Sequence, residues 1–168
     1  MQRWGGWLYR RAENVLAGML ALMFLSFLLQ IFFRYVLGWP SGWAHELSSI
    51  LWIWIVLWGA AFVLTEQEEM RFDLIYAAVG ERTRGLMFLT FAVAVVFLYG
   101  FSFPAVFDYV TFMKVEKSAY LKIRFDWLFS IYLVFVVAII VRYLWLSWRV
   151  LRGGAPDEFD PTKAGSGV

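Results

Sequence analysis

Four stretches of this sequence are long and apolar enough to cross a lipid bilayer, and none carries a charged side chain near its middle. A spanning helix needs roughly 20 mostly apolar residues to cover about 30 Å of hydrocarbon. The runs that meet this cover about 15–33, 41–64, 86–107 and 127–146. Gly100 and Pro104 fall inside the third, where neighbouring helices can satisfy the backbone groups they free. The expected fold class is an all-α integral membrane protein with four transmembrane helices plus short interfacial amphipathic helices. Residues 1–152 are expected to make a single membrane domain.

Composition supports the same class. Of 168 residues, 62% are apolar, 21% aromatic and 17% charged, against roughly 45–50% apolar and about a quarter charged in soluble domains. A soluble domain of this length could not bury 17 Phe, 10 Trp and 8 Tyr with the aliphatic residues. Disorder, a collagen-like fibre and an ordinary cytosolic enzyme are excluded, and there is no room for a soluble catalytic domain. The net charge of +2 comes from scattered basic residues, with no stripe to follow nucleic-acid phosphates. The sequence has no Cys, which removes disulfides, thiolate chemistry and Cys-ligated metal or Fe–S sites. His45 is the one His, so a bis-His haem cannot form within this chain. No enzyme activity and no cofactor are expected.

Basic residues orient the spans. Arg3, Arg10 and Arg11, then Arg71, Arg82 and Arg84, then Arg142, Arg149, Arg152 and Lys163 fall on one face. They outnumber Arg34, Lys114, Lys117, Lys122 and Arg124 on the other, which puts both termini in the cytoplasm. The first span follows basic residues, as a secretory signal does. Its apolar run exceeds the 7–15 or so residues of a signal core and no small-x-small site precedes Arg34, so an uncleaved anchor is expected. Trp4, Trp7, Tyr35, Trp39, Trp43, Tyr120, Trp127, Trp145 and Trp148 lie where rings with one polar handle favour the headgroup level. Glu66, Glu68 and Glu69 precede the apolar run Phe72 to Val79, which suits an amphipathic helix in the cytoplasmic interface. Asp108 to Asp126 reads as a loop or a short surface helix, and 153–168 as a disordered tail.

Ionisable residues within a membrane are the first functional candidates. His45, Glu46, Asp126 and Arg142 all fall near span ends, and only Ser26, Gln30, Thr90, Ser102 and Ser130 place polar side chains at depth. That inventory is poor for a proton relay or an ion site. His45 and Glu46 point about 100° apart on a helix, and a zinc site would need two or three further ligands. Glu46 suits the positive end of a helix dipole or a pairing with Arg34. On the functional reading, Arg34, Tyr35, Trp43, His45 and Glu46 form an external cluster that docks a partner. In the second span Leu47, Leu51, Trp54, Trp58 and Ala61 form one stripe, beside the smooth patch Gly59-Ala60-Ala61. The stripe packs within the chain, faces lipid or grips a second membrane protein.

The run Phe33-Arg34-Tyr35-Val36-Leu37-Gly38-Trp39-Pro40-Ser41-Gly42-Trp43-Ala44-His45-Glu46-Leu47, followed by Trp54 and Gly59-Ala60-Ala61, resembles the small membrane subunit of tripartite ATP-independent periplasmic (TRAP) transporters, called Q or DctQ-like. Arg34, Tyr35, Trp43, Glu46, Leu47, Trp54, Gly59 and Ala60 match the family pattern, with His45 in place of the first acidic residue of the usual pair. After the second span Met70 and Asp73 match, with Glu69 where many members carry His. The resemblance implies a bacterial inner-membrane protein that works with two partners. One is a large M subunit carrying a Na⁺-coupled pathway for an organic acid; the other is a periplasmic substrate-binding P subunit. It also implies a non-catalytic role, in which this chain scaffolds and anchors M during an elevator-type movement, helps dock P and sits among membrane lipids; the stripe Leu47, Leu51, Trp54, Trp58 and Ala61 is then the candidate interface with M. Two other readings remain: a self-sufficient small tetraspan exporter and the membrane anchor of a redox complex.

Overall fold

The computed structural model describes residues 2–39, 41–64 and 80–152. The helices are α1 (Gln2–Tyr35), α2 (Gly42–Trp58), α3 (Glu81–Phe112) and α4 (Phe125–Leu151). α2 continues into a π-helical turn, Gly59–Val63, and α3 ends in a 3₁₀ turn, Met113–Val115. Among the described residues, four helical segments are long and apolar enough to cross a membrane: Gly6–Tyr35, Gly42–Val63, Thr83–Val115 and Phe125–Leu151. Each contains one of the expected spans or nearly all of it. They overrun at most ends because nothing there breaks a helix, and residues such as Trp7, Arg10 and Arg11 are at home in the headgroup layer. Met70, Asp73, the expected interfacial helix near residues 66–79 and the tail 153–168 lie outside the described residues.

The chain divides into two compact units, one of Met1–Val63 with Pro104–Phe135, the other of Leu64–Phe103 with Val136–Val168. The boundary in α3 falls at Pro104, whose missing N–H leaves the Gly100 carbonyl without its helical partner.

In the first unit, α1 ends where Gly38 takes the left-handed conformation, φ 65°. This is the usual use of glycine just past a helix end. The Trp39 N–H donates to the Phe33 carbonyl at 3.0 Å, and the two rings stack 6.3 Å apart. Trp43 meets Phe33 edge-on at 6.1 Å. α2 then packs back along α1, with Ala44 wholly buried. Small residues allow such close approach in a membrane, where hydrocarbon solvent gives helices no reason to associate except packing and hydrogen bonds.

The second unit holds the antiparallel halves of α3 and α4. The Val150 side chain lies 3.7 Å from the position a Cβ on Gly85 would take, and the Tyr143 ring lies 6.3 Å from Phe88 and 5.8 Å from Phe91. Ala92, Val136 and Leu146 are buried almost completely.

Candidate functional site

The polar side chains at membrane depth are mostly spent on their own helices. Ser26 donates to the Leu22 carbonyl at 2.8 Å, Thr90 to Leu86 at 2.9 Å, Ser102 to Tyr99 at 3.2 Å and Ser130 to Trp127 at 2.7 Å. Ser48 and Ser49 do the same with Ala44 and His45. A hydroxyl returned to a carbonyl three or four residues back is satisfied and offers little to a passing ion. Among the described residues, no three His, Cys, Asp or Glu side chains gather where they could hold a metal.

The stripe on α2 turns inward. Leu51 is buried, and Leu47, Trp54, Trp58 and Ala61 are each partly covered. The Trp54 indole N–H donates to the Leu128 carbonyl of α4 at 3.1 Å, and the Trp58 N–H to the Ala12 carbonyl of α1 at 3.2 Å. An indole N–H in hydrocarbon needs an acceptor, and here both acceptors belong to the same chain. The π turn places Phe62 against Trp58 at 4.6 Å, while Leu16 rests 3.7 Å from the position a Cβ on Gly59 would take. The Gly-Ala-Ala patch therefore meets α1.

The cluster of Arg34, Tyr35, Trp43, His45 and Glu46 lies beside a feature that the sequence does not announce. Residues 116–125 form a small hairpin: Lys117 and Arg124 bridge antiparallel, Ser118 N–H donates to Ile123 O at 2.9 Å, and Phe125 N–H to Glu116 O at 3.1 Å. The buried Ser118 hydroxyl accepts the Ile123 N–H at 3.0 Å, and Lys122 supplies the positive φ, 56°, that closes the turn. Glu46 ties this hairpin to α2. Its Oε2 accepts the Tyr120 N–H at 2.7 Å and, more loosely, the Leu121 N–H at 3.4 Å. Glu46 thus binds backbone 74 residues away rather than Arg34, whose guanidinium stands 5.8 Å from the Tyr35 ring. The Tyr120 ring lies flat on Gly42, where any Cβ would overlap it. At the entry to α4, Arg124 forks onto Asp126, with Nε 3.1 Å from Oδ1.

Tyr35, Trp43 and His45 remain exposed around this tie. His45 opens onto a groove between α1 and α2, lined also by Gln30, Phe27, Phe24 and Trp52. The sequence singles out His45 and Glu46 but not the hairpin, the seating of Tyr120 or the groove. The one local sign is Gly42, a small residue in the first turn of a helix.

This arrangement ties α1, α2 and the hairpin before α4 together. The model of the family described as tripartite ATP-independent periplasmic transporters, DctQ component, matches residues 23–153. The chain belongs to that family. No curated protein matches it. The DctQ match runs from mid-α1 past the end of α4 and takes in the stripe, the hairpin and the Glu46 tie. This is a multi-pass membrane protein and a small permease component of a TRAP transporter.

Proposed function

We propose that this chain is the non-catalytic, static part of a Na⁺-coupled importer of an organic acid in the bacterial inner membrane, with both termini cytoplasmic. It scaffolds a large M subunit, whose transport domain moves like an elevator, and its external end helps receive the periplasmic substrate-binding P subunit. The family match carries this reading. The spent hydroxyls within the described spans support it, since a scaffold needs no ion site of its own. So does the inward stripe: Trp54 and Trp58 brace α2 against its neighbours. The outer faces of α1 and α2 are thereby left for other membrane components, and the cluster of Arg34, Tyr35, Trp43, His45 and Glu46 for docking.

Vesicles carrying this chain alone, the chain with M, or all three components under an imposed Na⁺ gradient test the reading. Uptake of a carboxylate is expected only with all three, and M is expected to copurify with this chain. Gradient-driven transport by this chain alone would overturn the proposal in favour of a small exporter. Copurification of a coloured redox partner instead of M would point to a redox anchor.

A further inference from the structure

We propose that the groove between α1 and α2 is a seat for one phospholipid of the leaflet next to the α1–α2 turn. The groove is open along its length, has a volume of about 1020 Å³ and is polar at one end only. Its α1 wall runs from Ala17 to Gln30, which is about 20 Å of helix at 1.5 Å per residue. One leaflet contributes about half of a 30 Å hydrocarbon layer. The groove therefore takes an acyl chain and the ester region above it, whereas a docked transmembrane helix would need a track across both leaflets.

The walls suit that occupant. Ala17 and Ala21 leave a shallow floor, and Phe24, Phe27 and Trp52 stand more than half exposed along the sides. The polar end suits it too. Ser48 and Ser49 are satisfied by their own helix. Among the described residues, the Gln30 carboxamide and the His45 imidazole make no hydrogen bond, although both face the groove. An unpaired amide just below the headgroup level is costly unless something pairs with it. The glycerol esters of a phospholipid supply acceptors at that depth. Arg34 sits one turn beyond Gln30 on the same side of α1, exposed and at the height of a phosphate. This inference does not depend on the transport reading, because any tetraspan with this groove would present the same seat.

The test uses the full chain, extracted from membranes with its associated chains and washed in mild detergent until bulk lipid is gone. Native mass spectrometry and phosphorus analysis then count the phospholipid retained. One molecule per chain is expected to survive washing. Ala21→Trp should expel it by filling the floor. Gln30→Leu, which keeps volume and adds no strain, should weaken retention about tenfold, the worth of one or two hydrogen bonds in a membrane. Phe101→Trp, at an exposed position on α3, should leave retention unchanged. A photoreactive side chain at position 24 should label phospholipid both before and after washing. Loss of all phospholipid on washing, full retention by Ala21→Trp or Gln30→Leu, or an equal loss in Phe101→Trp would overturn the proposal. So would labelling from position 24 that lands on a helix of another protein, which would make the groove a protein interface.

Discussion

α1 and α4 are both long apolar helices of one chain, yet they are held by different means. In the most apolar stretch of α4, 28% of residues are buried, against 6% in α1. Val136 and Leu146 of α4 are each about 1% exposed, while Leu20, Phe24, Leu25 and Phe27 of α1 are all more than half exposed. α4 is fixed by packing. α1 packs along α2 on one side only and is also fastened near its ends: the Trp58 indole on the Ala12 carbonyl and the Ser41 hydroxyl on the Gln30 carbonyl, at 3.4 Å. In a membrane, exposed apolar surface costs nothing against lipid. A helix that packs on one side and is pinned near both ends can thus keep most of its flank exposed to the surroundings, and α1 is that helix here.

The sharpest way to break this comparison is to remove volume from each helix. Leu146→Ala should destabilise the protein by about 2–5 kcal/mol, because a buried leucine loses its contacts and leaves a cavity. Phe24→Ala should change stability by no more than about 0.5 kcal/mol, since its ring faces the surroundings. Thermal unfolding in a constant detergent or nanodisc measures both. Equal losses would mean that the exposed flank of α1 carries as much packing as the buried side of α4.

Next in size is Glu46→Ala. This change leaves the Tyr120 and Leu121 N–H groups without their acceptor and should cost about 1–2 kcal/mol, with the value lowered by water at this end. Amide hydrogen exchange should accelerate at residues 118–121 while the middle of α4 keeps its protection. Loss of protection throughout α4 would show that the tie, and not packing, holds that helix. Glu46→Gln keeps one acceptor and should lie between alanine and the wild type.

The spans are more legible in the sequence than the contacts between them. Four spans can be read directly, because length and hydropathy settle what a bilayer accepts. The stripe Leu47–Leu51–Trp54–Trp58–Ala61 is also visible as a period, but a period cannot say what lies opposite it. In a soluble protein the apolar face is the inner face; in a membrane both faces are apolar, so the direction of Trp54 and Trp58 had to come from their acceptors. In the sequence Glu46 is an ionisable residue at a span end, with Arg34 the nearest cation before it. The actual partners are backbone N–H groups of Tyr120 and Leu121. Every residue can donate a backbone N–H, so no residue type marks them. The hairpin stayed hidden for a similar reason: its turn depends on a positive φ at Lys122 rather than at a glycine or an asparagine.

The two indole bonds separate the modes of attachment further. Trp58→Phe keeps most of the ring but removes the donor to Ala12, and Trp54→Phe removes the donor to Leu128. Single hydrogen bonds within membranes average about 0.6 kcal/mol, so both losses should be small. Their consequences should differ. Without the Trp58 bond, α1 loses one of its few fastenings, and amide exchange near Ala12 should rise. Without the Trp54 bond, α4 keeps its packing, and exchange near Leu128 should barely move. Equal responses would erase the distinction between a clasped and a packed helix.

Gly42→Ala is expected to have the smallest net effect, and its sign carries the information. Alanine in place of glycine in a helix gains roughly 0.5–1 kcal/mol. The new methyl, however, overlaps the Tyr120 ring seated on residue 42. That ring is 63% exposed and ends a flexible side chain, so it can swing aside and give up its contact with α2. Gain and loss should nearly cancel, leaving unfolding within about 0.5 kcal/mol of the wild type. In a Tyr120→Ala background the obstacle is gone, and the same Gly42→Ala change should stabilise by the full helix term. A double-mutant cycle reads the difference between those two effects as the coupling of ring to glycine. A coupling of zero would mean that Tyr120 does not rest on α2, and the hairpin leading into α4 would then hang from Glu46 alone.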